Sequence, residues 1–281
     1  MYFYILYILY IPYILNILNI LKMTLYQIDA FAKSVFQGNP AAVVPLAEWL
    51  PDELLQHIAA ENNLSETAYF VDKGDHYHLR WFTPAKEVRL CGHATLASAH
   101  VLFEHLGYEG NEIRFQALAG ELRVHKEGTR LVLDFPADFP KPGGADTELI
   151  ERILGVQPLD VCHGLDDILV RIESKATLDG LQPDFALMRQ LDTRGLIVTT
   201  IGTDTDIASR CFFPTYGIDE DPVTGSAHTL LTPYWADILG RNTLTAVQGG
   251  ARIGYLECAL AGDRVNISGE AKTYLVGEIC W

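Results

Sequence analysis

The chain has 281 residues, of which 49% are hydrophobic, and this is enough for one large domain or two domains of ordinary size. Acidic residues outnumber basic ones by 36 to 21, and the formal charge of -15 repels nucleic-acid phosphates and anionic membrane surfaces. We therefore expect no nucleic-acid partner and no membrane association of the folded part. The five cysteines are widely spaced and form no CxxC pair, which indicates a reduced, cytoplasmic protein.

The first 22 residues differ from the rest of the chain, because they consist almost wholly of Tyr, Ile, Leu, Asn and Phe in a repetitive order. They have no basic n-region and no small-residue cleavage site, which disfavours a signal peptide. We interpret residues 1–22 as a translated upstream extension, with a membrane anchor as the alternative. The folded unit is predicted to start at Met23, where an alternating strand pattern begins.

The first helix after this strand is predicted to be amphipathic and to lie on the surface. Pro51 suits the first helical position, and the pattern ends at Asn62 and Asn63. A strand is then expected to begin at Glu66, which places this glutamate at the junction of two elements.

Two later segments are apolar nearly all round, which is typical of buried helices. They run from Gly92 to Leu106 and from Gly225 to Leu239. Pro233 is expected to kink or interrupt the second of them. Because each helix would fill one core, the pair favours two lobes.

An internal repeat supports the two lobes. The spacing R-x-F-x-P at residues 80–84 recurs at residues 210–214, and each copy leads into a buried helix. A proline- and glycine-rich stretch at residues 136–144 has the composition of a linker. We predict an N-terminal lobe over residues 23–138, joined by a final strand near 273–281, and a C-terminal lobe over residues 139–272.

The starts of the two buried helices are candidate anion-binding positions, because helix N-termini present unpaired N–H groups and a positive dipole end. Gly92 and Gly225 let a ligand approach the backbone, and Ser226 adds a hydroxyl donor. The expected guest is a carboxylate. The alternative is that Thr224 and Ser226 only cap the second helix.

Glu66 is the candidate general base, because a carboxylate in an otherwise uncharged segment can have its pKa raised toward neutrality. His93, at the first helix start, would stay neutral and could donate or accept a proton. Asp221 precedes the second helix start. The alternatives are a solvated charge for Glu66, a capping role for His93 and a solvated acidic turn for Asp221.

Cys91 is a further candidate base, because a thiol beside a helix N-terminus can have a depressed pKa. A racemase that works from both faces of its substrate needs two such groups, and Thr224 holds the matching place in the second half. We therefore interpret Cys91 as a packing or secondary site residue. The pair His76 and His78 lacks an obvious third ligand, so no metal is expected.

Five motifs in this order and spacing resemble the PhzF family, the phenazine biosynthesis F-like isomerases of the diaminopimelate epimerase-like superfamily, and the resemblance covers Met23 to Trp281. The motifs are Gly38-Asn39-Pro40-Ala-Ala-Val, Asn63-Leu-Ser-Glu66-Thr, Phe82-Thr-Pro84, Cys91-Gly-His93-Ala-Thr and Asp221-Pro-Val-Thr-Gly225-Ser226-Ala.

The resemblance implies a mixed α/β (α+β) fold with two pseudo-symmetric lobes, each a sheet or barrel wrapped around a central helix, and usually a homodimer. It implies a cofactor-independent isomerase that acts on a small carboxylate-bearing substrate in the cleft between the lobes. Two departures from the family pattern, Gly254-Tyr-Leu and Cys-Gly-His-Ala at residues 91–94, leave the substrate open. The alternatives are an amino-acid racemase or epimerase and a protein that binds a carboxylate without turnover.

The resemblance also implies a set of site residues. The catalytic residues would be Glu66, His93, Asp221 and Ser226, and the substrate-binding residues would be Asn39, Gly92, Thr224 and Gly225.

Overall fold

The computed structural model of the chain describes residues 22–143 and 145–280, which form 18 strands in one continuous hydrogen-bonded sheet. The strands of the first half are β1 (Lys22–Ala30), β2 (Asn39–Leu46), β3 (Glu66–Asp72), β4 (Tyr77–Phe82), β5 (Glu87–Val88), β6 (Glu112–Ala117), β7 (Gly120–Glu127) and β8 (Arg130–Pro136). Those that follow are β9 (Lys141–Pro142), β10 (Asp160–His163), β11 (Asp167–Arg171), β12 (Gly195–Ile201), β13 (Ile207–Phe213), β14 (Ile218–Asp221), β15 (Thr243–Gln248), β16 (Gly254–Ala261), β17 (Arg264–Gly269) and β18 (Ala271–Cys280).

The sheet consists of two halves with the same pairing order. The first half runs β18-β1-β2-β3-β4-β6-β7-β8, with parallel pairing at β2–β3 and β4–β6. The second half runs β9-β10-β11-β12-β13-β15-β16-β17, with parallel pairing at β11–β12 and β13–β15. The antiparallel pair β8–β17 joins them. The two parallel pairs fall at equivalent places, so the halves are structural repeats of one another, as the R-x-F-x-P repeat predicts.

Within the described residues, six α-helices and one 3₁₀ turn complete the fold. They are α1 (Asp52–Asn62), α2 (Gly92–Glu104), α3 (Thr147–Leu154), α4 (Lys175–Asp179), α5 (Phe185–Met188), α6 (Ala227–Leu239) and the 3₁₀ turn Pro214–Tyr216. Helix α2 packs against β1, β2, β3 and β8, and α6 packs against β11, β15, β16 and β17. Each half therefore wraps around one buried helix, which confirms the predicted architecture.

Pro233 lies inside α6 and does not interrupt it, contrary to one of the two effects expected from the sequence. Proline has no N–H, so the carbonyl of Thr229 one turn earlier has no helical partner. That carbonyl accepts a hydrogen bond from the backbone N–H of Asp138 at 3.0 Å. A residue between the two halves thus supplies the missing donor, and the helix continues to Leu239.

The remaining helices cover the outer faces of the two halves. Helix α1 packs its apolar side, including Leu55 and Ile58, on the outside of the first half. Helices α3 to α5 cover the second half in the same way. The sequence predicts Pro51 at the first helical position of α1, but Pro51 is the residue before the helix, and Asn63 ends it in the left-handed conformation at φ 49°.

The ends of the described chain lie side by side. Strand β1 begins at Lys22, one residue before the predicted start, and this residue pairs with Cys280 of β18. The segment 1–21 lies outside the described residues, so its interpretation as an extension or an anchor stays a prediction. Of the helices within 22–143 and 145–280, none has the length and apolar character needed to cross a bilayer.

Gly38 positions the start of β2, and its replacement by Ala is expected to destabilise the fold. Its φ is +67°, and a Cβ there would lie 2.0 Å from the backbone oxygen of Ala30. Gly128 has a similar φ of +63° with open space around it. Positive φ costs a non-glycine residue about 1–2 kcal/mol, and the clash adds about 1–3 kcal/mol at Gly38 alone. Urea unfolding should show a larger loss for Gly38→Ala than for Gly128→Ala; equal losses would contradict this.

Candidate active site

Glu66 is placed by the parallel pair β2–β3, where it lies opposite Ala41 at the start of β3. The short turn after α1 positions Glu66 at the boundary between the two halves. The Glu66 side chain is only 12% exposed. Its Oε2 atom has no hydrogen-bonding partner among the described residues. The carboxyl group is thus buried rather than solvated, and one of its oxygens is free.

Cys91 and His93 flank the first residue of α2 and come close to Glu66; we call Glu66, Cys91 and His93 the Glu66 cluster. The His93 Nε2 and Glu66 Oε2 atoms lie 3.2 Å apart without the alignment of a hydrogen bond. The Cys91 Sγ atom lies 3.5 Å from His93 Nδ1. One nitrogen, oxygen or sulfur atom of each residue lies within 4.8 Å of the others.

Asn39 connects this cluster to the other half of the molecule. Its side-chain nitrogen donates to Asp221 Oδ1 at 2.7 Å and to the carbonyl of Val223 at 2.9 Å, and it lies 3.3 Å from His93 Nδ1. The Ser65 hydroxyl donates to the Asn39 side-chain oxygen at 3.4 Å. An amide suits this position because two hydrogens on one nitrogen can bond both a carboxylate and a carbonyl.

Asp221 is held at both of its carboxylate oxygens, since Oδ2 accepts a hydrogen bond of 2.5 Å from the Thr224 hydroxyl. Gln248 fixes this arrangement by donating to the backbone oxygen of Asp221 and to the Thr224 hydroxyl, both at 3.1 Å. The alternative of a solvated acidic turn is therefore wrong. Asp221 ends β14 and is buried, and the neighbouring Glu220 pairs with Arg210.

The starts of α2 and α6 meet at the boundary between the halves. A methyl group added to Gly92 would lie 3.5 Å from the Cα of Gly225, so the two glycines face each other in van der Waals contact. The first N–H groups of each helix have no intrahelical partner. The first three N–H groups of α6, those of Ala227, His228 and Thr229, already donate to the backbone carbonyls of residues 224–226. The two helix starts therefore bring two positive dipole ends together at the site.

Ser226 takes a different partner from the other predicted residues. Its hydroxyl accepts a hydrogen bond of 3.2 Å from Arg194, which also forms an ion pair with the buried Asp167. The hydroxyl makes no capping hydrogen bond to the start of α6. Within the described residues it has no hydrogen bond to Glu66, His93 or Asp221, so Ser226 shares the helix start but not their network.

Burial sets the protonation states in the site. It raises the pKa of Glu66 to about 8, with the Asp221 carboxylate adding to the rise. Burial also raises the pKa of Asp221 to about 6, against the opposing effect of the Thr224 and Asn39 hydrogen bonds. The pKa of His93 falls to about 3 because burial disfavours the imidazolium ion, so this ring is neutral, as predicted from its position. Burial raises the pKa of the Cys91 thiol well above its usual range, which argues against Cys91 as a thiolate base.

Three further residues of the network, Asp167, Arg194 and Gln248, were not found from the sequence. Two of them occupy positions equivalent to residues of the first half. Asp167 is the first residue of β11, as Asn39 is of β2, and Arg194 immediately precedes β12, as Ser65 precedes β3. The internal repeat could have located Asp167 and Arg194 once the strands were aligned. Gln248, at the end of β15, carries no signal in the sequence.

Comparisons with known proteins place the chain in a family. The model of the phenazine biosynthesis-like protein family, PhzC-PhzF, matches residues 28–277. A protein named as an uncharacterized isomerase from Pseudomonas aeruginosa is 52% identical over 258 residues, which cover 92% of this chain and 99% of that protein. A crystal structure of a PhzF family protein from Enterococcus faecalis superposes with a TM-score of 0.89 at 43% identity, covering 92% of this chain and 98% of that one.

A solved structure with much lower sequence identity to this chain has a similar fold. A hydroxyproline epimerase from Agrobacterium vitis superposes with a TM-score of 0.60 at 11% identity, covering 92% of each chain, and the likeness is one of fold alone. The mixed α+β fold with two repeated halves is thus that of the diaminopimelate epimerase-like proteins, and the enzyme is an isomerase by class. The chain belongs to the phenazine biosynthesis-like (PhzC-PhzF) family.

Proposed function

We propose that the enzyme is a cofactor-independent isomerase that moves a proton between carbons of a small carboxylate-bearing metabolite, with Glu66 as the acid and base. The observation that carries the proposal is the buried carboxyl group of Glu66 with one oxygen free. A pKa of about 8 lets this group take a proton from carbon and return it at a pH near neutrality.

The substrate carboxylate is proposed to bind where α2 and α6 meet. The two positive dipole ends that meet at Gly92 and Gly225 favour an anion there. In this proposal the substrate lies between Glu66 and the Ser226 hydroxyl. Thr224 belongs to the same helix start and holds Asp221.

The other predicted residues have supporting roles in this proposal. His93, neutral and 3.2 Å from Glu66 Oε2, orients the substrate and exchanges a proton with it. Asp221 and Asn39 hold the two halves in register across the site through their 2.7 Å hydrogen bond. The Asp221 carboxylate also contributes to the raised pKa of Glu66.

The arrangement favours an isomerase over a racemase. A racemase needs a second base on the opposite face of the substrate, and the position that matches Cys91 in the other half is Thr224. The Thr224 hydroxyl is already hydrogen-bonded to Asp221 and Gln248, and it is not a base at any ordinary pH. Glu66, Cys91 and His93 all come from the first half, as one-face proton transfer requires.

The test of the proposal is deuterium incorporation into carbon. The protein is incubated with pooled small-molecule acids in deuterium oxide, and mass spectrometry detects label in any of them. Label that depends on the protein supports an isomerase and names a substrate or close analogue. Chromatography of the same mixtures detects an isomer formed without label, which would show that Glu66 returned the substrate's own proton. Binding of an acid with neither label nor an isomer would instead support a protein that captures carboxylates without turnover. The homodimer expected from the family resemblance is checked by sedimentation.

The reaction is expected to speed up with rising pH. Glu66 removes a proton only as the carboxylate, so with a pKa of about 8 its active fraction rises about tenfold per pH unit below that value. We expect kcat/KM for the identified substrate to rise from pH 6 and level off above about pH 8. A profile already flat from pH 6 upward would contradict the raised pKa of Glu66 in the free enzyme.

A further inference from the structure

We propose that the Glu66 cluster also binds a thiophilic divalent metal ion of the zinc class, and that the bound ion inhibits the enzyme by occupying its acid/base group. The three side chains offer one oxygen, one sulfur and one nitrogen donor within 4.8 Å of one another. This mixture of thiolate, imidazole and carboxylate is the donor set that zinc prefers, and it differs from the all-oxygen set of magnesium and calcium.

The spacing of the cluster is close to that of a metal site. Zinc bonds of about 2.0–2.3 Å in a tetrahedral arrangement place ligand atoms about 3.3–3.8 Å apart. The His93 Nε2 and Glu66 Oε2 atoms are 3.2 Å apart, and the Cys91 Sγ atom lies 3.5 Å from the other ring nitrogen of His93. One ligand atom of each residue lies within 4.8 Å of the others, so side-chain rotations within the cluster would bring all three ligands to one ion.

Two of the donor atoms make no hydrogen bond among the residues that the structure describes. Within the described part of the chain, neither Glu66 Oε2 nor His93 Nε2 has a hydrogen-bonding partner, although both are buried. Buried polar atoms without partners are costly, and an ion would satisfy both. Metal binding would release the protons of the Cys91 thiol and the Glu66 carboxyl group to solvent, and the resulting thiolate and carboxylate would balance the two charges of the ion.

The ion would be an inhibitor and not a cofactor. It would hold the Glu66 oxygen that the reaction uses, so metal and substrate would exclude each other. The inhibition rests on the proposed function, whereas the binding does not, because the three donors and their spacing are independent of any reaction.

The experiment is a titration of the full-length protein with Co²⁺, the spectroscopic substitute for Zn²⁺. A Cys280→Ser background is used, because Cys280 is exposed and offers a thiol elsewhere. We expect one ion per chain, a thiolate-to-cobalt absorption band, and displacement by Zn²⁺. Outer-shell changes cost metal sites about 10–100-fold in affinity, so removing a direct ligand by Cys91→Ser should abolish the band and weaken binding by at least about 100-fold.

Two further variants make the result specific. Glu66→Gln keeps the thiol and should lower the affinity for Co²⁺ at least about tenfold, while Cys162→Ser, at a buried cysteine outside the cluster, should leave the spectrum unchanged. Circular dichroism confirms that each variant is folded. Absence of the band in the parent protein, or its survival in Cys91→Ser, would overturn the proposal. These outcomes are read without a substrate, so they remain separate from a failure to find deuterium incorporation.

Discussion

Glu66→Gln is expected to lower the rate of deuterium incorporation by at least about 10³-fold while substrate binding is retained. Positioned acid/base groups contribute about 10²–10⁴-fold to a rate, and Glu66 is proposed to act in both the removal and the return of the proton. Glutamine matches the shape of the protonated carboxyl group that burial favours at neutral pH. The loss should therefore appear in kcat, with the dissociation constant of the substrate changed by less than about tenfold.

The matched control is Glu61→Gln, which removes a carboxylate from the exposed side of α1 five residues earlier. It should leave the rate unchanged. A Glu66→Gln protein that binds the substrate and still incorporates deuterium at more than a tenth of the parent rate would remove Glu66 from its proposed role, and His93 would become the next group to test.

The same substitution is expected to stabilise the fold at high pH, with an effect on the order of a few kcal/mol. The pKa of Glu66 rises from 4.5 to about 8 on folding, mainly through burial, so the folded state keeps a proton that the unfolded chain releases. Stability is then lost as the pH rises from about 4.5 to about 8. Glutamine cannot ionise. The free energy of unfolding of Glu66→Gln should therefore increase relative to that of the parent protein as the pH rises through this range.

Urea unfolding of both proteins at pH 5, 7 and 9 measures this difference. Asp221, whose pKa is raised to about 6, imposes its own pH dependence, but both proteins contain it and most of it cancels. Glu61→Gln should run parallel to the parent at every pH. If the gap between Glu66→Gln and the parent is constant from pH 5 to pH 9, Glu66 is not a buried group with a raised pKa.

Local patterns were enough to predict much of this fold. The apolar runs that became α2 and α6 have almost no polar face, and such segments have few alternatives to burial in a core. The repeated R-x-F-x-P spacing predicted an internal duplication, and the strand pairing shows this duplication directly. The continuity of α6 through Pro233 was not predictable, because the donor that satisfies Thr229 comes from Asp138, 91 residues away in the chain.

The structure brings most of the predicted site residues close together, but the contacts that hold them were not predictable. Glu66 stood out because no other charge lies near it in sequence, yet its burial depends on packing between two halves. The same is true of Asp221, which has the sequence context of a solvated turn and is buried by Thr224, Asn39 and Gln248. The partner of Ser226 was missed, since Arg194 lies 32 residues away and reaches it only through the sheet.

The most direct test of the central claim is the position and configuration of deuterium in the product, read by nuclear magnetic resonance after turnover of the identified substrate in deuterium oxide. One carboxylate acting from one half of the molecule predicts a product with its double bond or functional group shifted and with the transferred hydrogen at a new carbon. That hydrogen is deuterium where Glu66 exchanges with solvent before it returns the proton. Deuterium at the original carbon with inverted configuration would contradict the claim, because that outcome requires a second base on the opposite face.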